Sequence, residues 1–192
     1  MARPRTITDE RLLTAAGTVI GMVGPGFTLA QVAAEAGVAV GTVAQRFGSK
    51  NGLLQALSRL NTQSVVRLMR DCGELADPVE ALRAAVVVIY EGLGTAETAA
   101  NHLGQLGVDI GDPDLRALLG EHFTAVEAEL RRLTRVAARD LPGAPGVVRA
   151  ARVLLGVANG AALDWSIRPK GRFVDRMGQD VDAVLTAWKG VS

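Results

Sequence analysis

The sequence has few of the residues on which secreted, redox-active and metal-dependent proteins rely. Cys72 is the only cysteine among 192 residues, so no internal disulfide can form and an oxidising compartment is not implied. His102 and His122 are the only histidines, and their separation does not match a paired metal-binding motif. We therefore expect no metal, no cofactor and no catalytic residues, and we expect a protein that is not an enzyme.

Long hydrophobic runs and a strong net charge are also lacking. No stretch of about 18 uncharged apolar residues is present to cross a bilayer, and the first residues lack the apolar segment of a signal peptide. We therefore expect a cytoplasmic protein with no membrane partner. The net charge is only +1. Residues 1–60 nevertheless hold six basic and three acidic side chains, so the positive charge is concentrated near the N-terminus.

Aromatic residues make up only 4% of the chain, whereas hydrophobic residues make up 48%. This composition predicts a core of Ala, Val and Leu between closely packed helices, in a chain long enough for one or two domains. Helical periodicity recurs along the chain, without a convincing strand or an internal repeat. We predict an all-α fold whose helices cover about residues 8–23, 28–36, 39–46, 49–71, 78–100, 112–139, 147–167 and 173–189, with a short glycine-rich piece at 102–110.

Residues 28–54 form the most informative segment, TLAQVAAEAGVAVGTVAQRFGSKNGLL. Thr28 and Gln31 have the spacing of a capping box at a helix start, and Gly37 stands where that helix must end. Val43 lies on the apolar stripe of a second short helix. Two short helices joined by a tight glycine-containing turn are typical of a helix-turn-helix, whose second helix enters the DNA major groove.

These residues, together with the preceding helix, resemble the TetR family of transcriptional regulators over about residues 6–58. The matching elements are the Phe-Thr entry, VAAEAGVAVGTVAQRF and GSKNGLL. The resemblance implies an N-terminal three-helix helix-turn-helix domain at residues 1–54 and a C-terminal helical domain for ligand binding and dimerisation at residues 55–192. It further implies a homodimeric repressor that binds a pseudo-palindromic double-stranded DNA operator and is released by a small lipophilic effector.

The family motif also assigns DNA contacts by position. Three departures from it are notable, because Ala39, Ala44 and Arg46 replace a common Ser, Tyr and His. Val40, Gly41 and Ala44 together make a smooth apolar helix face that supplies no bidentate hydrogen bonds to bases. We therefore expect more reliance on Arg46, on Gln45 and on a basic N-terminal arm reaching the minor groove. The expected DNA-contacting residues are Arg3, Arg5, Thr28, Val40, Gly41, Thr42, Ala44, Gln45, Arg46 and Lys50.

The C-terminal half carries two further expectations from the resemblance. Residues expected to line an effector pocket are Met69, Val87, Tyr90, His102, Gln105, Leu106, Phe123 and Trp165. Residues expected at the dimer interface are Phe123, Val126, Leu130, Leu133, Val153, Val157, Gly160 and Ala161. The alternative for the second set is packing within one chain, and Tyr90 and Trp165 have the alternative of anchoring the core.

Two other functions remain open at this point. One is a DNA-binding protein that responds to no effector, which a filled core in place of the pocket would favour. The other is a small-molecule-binding helical bundle with a weakened DNA reader, which salt-sensitive duplex binding would exclude.

Overall fold

A computed structural model describes residues 7–190, and these residues form nine α-helices and no β-strand. The predicted all-α fold is confirmed. Arg3 and Arg5, the expected basic arm, lie outside the described residues. The helices are α1 (Asp9–Val23), α2 (Leu29–Ala36), α3 (Val40–Phe47), α4 (Lys50–Cys72), α5 (Pro78–Val88), α6 (Ala96–Gly111), α7 (Pro113–Val136), α8 (Val147–Ile167) and α9 (Phe173–Lys189).

Local side-chain caps begin α1, α2 and α4, whereas α3 begins without one. The Thr28 hydroxyl accepts from the backbone N–H of Gln31, and the Gln31 side chain accepts in return from the Thr28 N–H, which completes the predicted capping box. Gly37 ends α2 in the left-handed conformation at φ 70°, as predicted. At the junction of α3 and α4, a Cβ on Gly52 would lie 2.1 Å from the carbonyl oxygen of Phe47. Only glycine therefore permits this close approach of the two helices.

The segment between residues 78 and 111 differs from the prediction of one helix to about residue 100 and a short piece after it. Helix α5 ends at Val88, and α6 is a regular helix that begins at Ala96. The break follows from Gly94, which adopts φ 64°, and from Thr95, whose hydroxyl accepts from the Thr98 N–H and caps α6. The valine-rich run before the break has uninterrupted helical periodicity, which conceals the end of α5.

Two clusters of buried apolar side chains divide the core. The N-terminal cluster is formed mainly by α1–α4, and the larger C-terminal cluster is formed by α4–α9. Helix α4 contributes Leu53, Leu54 and Leu57 to the first and Val65 and Met69 to the second. The expected boundary between residues 54 and 55 therefore falls inside a continuous helix, and the change of core occurs between residues 60 and 65.

Within residues 7–190, no helix is both long enough and apolar enough to span a bilayer.

Candidate functional site

The outer face of α3 is the exposed side of the helix-turn-helix. Val43 is fully buried beneath it, whereas Val40, Gly41, Gln45 and Arg46 are exposed. Thr42 and Ala44 are half-buried at the edges of this face. The predicted DNA-facing set of α3 thus lies on one accessible surface, with the core residue on the opposite side.

Packing within the chain does not require the glycine at position 41. A Cβ placed there has no described atom within 4 Å outside its own helical turn, so the fold has room for a side chain. A glycine inside a helix costs about 0.5–1 kcal/mol relative to alanine. The bare backbone at Gly41, beside the 51%-exposed Val40, leaves α3 able to approach another surface closely.

Arg46 is engaged within the protein. Its guanidinium forms an ion pair with the Asp9 carboxylate at the start of α1, and it also donates to the Ile7 carbonyl oxygen at 3.4 Å. Both partners of the ion pair are substantially exposed, so solvent screens this pair strongly. A phosphate that approaches α3 therefore competes with Asp9 for Arg46.

Lys50 has a structural role that the sequence analysis did not anticipate. Its ammonium group donates to the carbonyl oxygens of Pro25 and Phe27 at 2.6 and 2.8 Å and lies 4.1 Å from the centroid of the Phe27 ring. The side chain therefore holds the turn that leads into Thr28 and α2. These bonds use two of the three N–H groups of the Lys50 ammonium and hold the side chain half-buried, so the exposed Arg46 is the more available cation.

A cavity of about 550 Å³ lies among α1, α4, α6, α7 and α8. Its walls are mainly apolar, with several polar groups pointing inward, which is the usual composition of a small-molecule site. The lining residues are Gly17, Ile20, Leu54, Leu57, Ser58, Asn61, Tyr90, Leu93, Ala99, His102, Leu103, Gln105, Leu106, Asp109, Ile110, Leu119, His122, Phe123, Asn159, Ala162 and Leu163.

The structure places some of the expected effector-binding residues on this wall and others in the core. Tyr90, His102, Gln105, Leu106 and Phe123 line the cavity.

Met69, Val87 and Trp165 do not line it, contrary to expectation. Met69 is fully buried in the C-terminal cluster, Val87 packs against that cluster, and the Trp165 ring lies 5.4 Å from the ring of Phe173. Helix α4 instead presents Leu54, Ser58 and Asn61, whose helical spacing is a usable signal that the sequence analysis missed.

The aromatic and imidazole groups of the cavity are neutral near pH 7. The Tyr90 hydroxyl donates to the Asn159 side chain at 2.6 Å, and burial raises the pKa of Tyr90 to about 12. Burial lowers the pKa of both His102 and His122 below the ordinary value for histidine. His122 Nδ1 also lies 3.0 Å from the Thr62 hydroxyl.

The cavity wall is continuous with the helix-turn-helix domain. Ile20, Leu54 and Leu57 line the cavity and also belong to the N-terminal core cluster. Helix α6 touches α1 closely, because a Cβ on Gly21 would lie 3.4 Å from the His102 ring. The adjacent Asn101 donates to the Gly21 carbonyl oxygen at 2.9 Å.

A second connection links α4 to the turn before α7. The Asn51 amide donates to the Asp112 carboxylate at 3.1 Å, one residue after Lys50. The same carboxylate caps α7 by accepting from the Asp114 and Leu115 N–H groups. The start of α7 is therefore tied to the helix that follows the DNA-facing surface.

The expected dimer residues separate into a buried and an exposed group. Val126, Leu130, Leu133 and Ala161 are buried within the chain, and Val157 packs against the core. These residues therefore stabilise the monomer. Packing within one chain was the alternative to a dimer interface for this set. Phe123 is also turned inward, because it lines the cavity.

The exposed face of α8 contains the remaining two expected residues, Val153 and Gly160. With Gly156, Leu163 and Ile167 they recur at alternating steps of three and four residues, the spacing of a helix–helix seam. Leu163 is 50% exposed and Ile167 is 69% exposed, although both are apolar. A Cβ on Gly156 or Gly160 meets no described atom within 4 Å outside its own helix, so this face is open.

No group of three or more metal-ligating side chains is assembled within the described part of the chain.

Comparison with known proteins identifies the N-terminal domain. Residues 12–57 match the family model described as bacterial regulatory proteins of the tetR family. This match covers α2, α3 and most of α1. No curated protein matches the sequence significantly.

Several solved structures share the fold over nearly the whole chain. A TetR-family transcriptional regulator from Rhodococcus is 18% identical, with a TM-score of 0.76 and coverage of 95% of this chain and 98% of its own. A TetR transcriptional regulator from Streptomyces coelicolor is 21% identical, with a TM-score of 0.67 and coverage of 96% and 100%. The regulator FadR from Bacillus subtilis, in complex with stearoyl-CoA, is 20% identical, with a TM-score of 0.70 and coverage of 96% and 100%.

The nine helices, the exposed face of α3 and the family match lead to one assignment. Residues 12–57 form a DNA-binding helix-turn-helix domain that matches the tetR family of bacterial regulatory proteins, and the chain shares the fold of solved TetR-family transcriptional regulators.

Proposed function

We propose that the protein is a homodimeric repressor that releases its DNA operator when a small amphipathic molecule fills the cavity. The observation that carries this proposal is the shared wall, in which Ile20, Leu54 and Leu57 belong both to the cavity and to the core beneath α3. A molecule in the cavity therefore touches the residues on which the helix-turn-helix rests. In this proposal residues 1–54 read DNA, and residues 55–192 bind the effector and the partner protomer.

On the DNA side, α3 of each protomer lies in one major groove. Val40 and Gly41 offer an apolar, closely approaching surface to thymine methyl groups and base edges. Thr28, Thr42, Ala44 and Gln45 border this surface, and Arg46 supplies a charge-assisted phosphate contact after it exchanges Asp9 for the phosphate.

The seam on α8 is our proposal for the dimer contact. Two copies of Gly156 and Gly160 permit close approach of the helices, and Val153, Leu163 and Ile167 bury apolar surface that is exposed in the monomer. A dimer is required because one helix-turn-helix contacts too few base pairs for strong binding, and two half-sites one helical turn apart supply the rest.

The effector shifts an equilibrium between two spacings of the helix-turn-helix domains. It favours release only by binding the DNA-incompetent spacing more tightly than the other. The structure offers two routes for the shift: the shared apolar wall and the bond from Asn101 on α6 to the Gly21 carbonyl oxygen of α1. An effector-independent regulator has no use for a 550 Å³ cavity at this position, which favours the ligand-responsive function.

DNA binding is tested by footprinting on the DNA upstream of the gene at two salt concentrations. We expect a protected near-palindrome and an affinity that falls steeply with salt. Arg46→Ala is expected to weaken binding and to reduce the salt slope by about one per protomer. Asp9→Asn is expected to strengthen binding several-fold, because it frees Arg46.

Glu10→Gln is the matched control for Asp9→Asn, since it removes a neighbouring exposed charge in the same helical turn without an Arg46 contact. Weak, sequence-indifferent binding that is unchanged by Arg46→Ala would exclude the repressor and favour a ligand-binding bundle with a weakened reader.

Coupling between the cavity and DNA is tested without knowing the effector. Gly17 lies on the cavity wall, and a Cβ there meets no described atom within 4 Å outside its own helix, so leucine has room to extend into the cavity. Gly17→Leu is expected to raise the melting temperature and to weaken operator binding about tenfold, within the usual range of coupling energies.

Gly17→Ala is the control, because it gives a similar gain in helix propensity of about 1 kcal/mol but leaves the cavity largely empty. Loss of binding of a hydrophobic fluorophore by Gly17→Leu would show that the leucine fills the cavity. If the two variants then bind the operator with equal affinity, the proposed coupling is contradicted.

The dimer contact is tested by Gly160→Glu. The monomer fold has space for this side chain, whereas a close helix–helix contact does not, and overpacking costs about 1–3 kcal/mol per site. We expect analytical ultracentrifugation to show a dimer dissociation constant at least about tenfold higher. The control is Gly120→Glu on α7, where a Cβ also meets open space; equal dissociation constants would argue against the α8 seam.

A further inference from the structure

One wall of the cavity carries a buried acceptor that has no donor. Gln105 is 5% exposed, and its Nε2 donates to the Asp109 Oδ1 at 2.7 Å. Its Oε1 is buried and has no hydrogen-bond partner among the described residues. An ionised carboxylate only accepts hydrogen bonds, so the amide edge facing Asp109 must be the NH₂ group. The free edge of Gln105 is therefore the carbonyl oxygen, and both residues line the cavity.

A buried carbonyl without a partner is unfavourable, because it has lost its hydrogen bonds to water. No residue between 7 and 190 supplies a donor to this oxygen. Because Gln105 lines the cavity, a small adjustment of its side chain brings this oxygen within reach of an O–H or N–H group on a molecule that enters the cavity.

The charge of the wall restricts the molecule further. Asp109 is the only acidic residue among the described lining residues, and no lysine or arginine lines the cavity. The other ionisable groups are neutral, since burial lowers the pKa of both histidines and raises that of Tyr90. Burial also raises the pKa of Asp109, but at pH 8 an aspartate is normally ionised. An anion in the cavity would lose its hydration and meet a carboxylate without a compensating cation.

We infer that the effector is an amphipathic molecule without negative charge that donates a hydrogen bond to Gln105 Oε1. An amine is favoured over an alcohol, because an ammonium group at this point bonds Gln105 and attracts the Asp109 carboxylate. This inference rests on the proposed function and specifies the chemical class of its ligand.

The ligand inferred for this cavity differs in charge from the ligand of a structural neighbour. The FadR structure from Bacillus subtilis contains stearoyl-CoA, whose CoA portion carries anionic phosphates. The likeness at 20% identity extends to the fold alone. The described wall of the present cavity has a carboxylate and an unpaired carbonyl, and it has no lysine or arginine to pair with such phosphates.

The test uses three probes that share one alkyl chain and differ in the head group: decylammonium, 1-decanol and decanoate. Their dissociation constants are measured on the full-length protein at pH 8, by calorimetry or by displacement of a hydrophobic fluorophore. We expect decylammonium to bind at least about tenfold more tightly than decanoate, with 1-decanol between them, as one charge-assisted bond predicts.

Two conservative variants test which side chains cause the preference for decylammonium. Asp109→Asn is expected to remove most of the advantage of decylammonium over 1-decanol and to strengthen decanoate binding. Gln105→Met keeps the size of the side chain, and we expect it to weaken decylammonium and 1-decanol about three- to tenfold while sparing decanoate. Gln63→Met and Asp71→Asn, both at exposed positions of α4 outside the cavity, are the matched controls. Melting curves without probe establish that each variant is folded.

The outcomes distinguish this inference from the proposed function. The inference is overturned if decanoate binds as tightly as decylammonium, or if Gln105→Met leaves the affinities for all three probes unchanged. Either outcome leaves the ligand-responsive repressor intact. Failure of all three probes to bind a protein that still protects its operator overturns the effector cavity itself, and the inference with it.

Discussion

The structure depends on α1 and α4, each of which is buried on two sides. Each helix packs one side against the short helices that face DNA and another side against the cavity, so Ile20, Leu54 and Leu57 serve both regions. Close-packed interiors have few voids, and a change of volume on one side of such a residue is felt on the other. The helix-turn-helix is therefore not an independent module attached by a linker. Its position follows from how α1 and α4 pack around the cavity.

Two cationic side chains near α3, Lys50 and Arg46, make contacts that hold the helix-turn-helix itself. Lys50 holds the turn before α2 through the carbonyl oxygens of Pro25 and Phe27, and Arg46 is paired with Asp9. The Lys50 side chain is partly buried, and its bonds help to fix the angle at which α2 and α3 meet α4. The exposed Arg46–Asp9 pair is weak enough to be exchanged for a phosphate. Of the two cations near α3, Lys50 thus maintains the fold, and Arg46 is the one that we propose contacts DNA.

The parts predicted from sequence are those fixed by short-range chemistry. The capping box of Thr28 and Gln31 and the turn at Gly37 involve residues a few positions apart, so their local sequence determines them. The apolar stripe of Val126, Leu130 and Leu133 has the same appearance whether it faces its own chain or a second copy, and only the arrangement of the other helices shows that it is internal. Likewise, which residues line the cavity depends on where five helices meet, so Met69 and Trp165 could not be separated from Tyr90 and Phe123. The bonds of Lys50 join residues far apart in sequence and leave no local pattern.

The energetic link that we propose between the cavity and the DNA-facing surface must be reciprocal, and this reciprocity can be measured. The affinity of a cavity-bound probe such as 1-decanol is measured with and without saturating operator duplex, and operator affinity is measured with and without the probe. Thermodynamic linkage requires the two ratios to be equal. We expect the operator to weaken probe binding by the same factor, about fivefold or more, by which the probe weakens operator binding. Probe and operator that bind with unchanged affinities in each other's presence would contradict it.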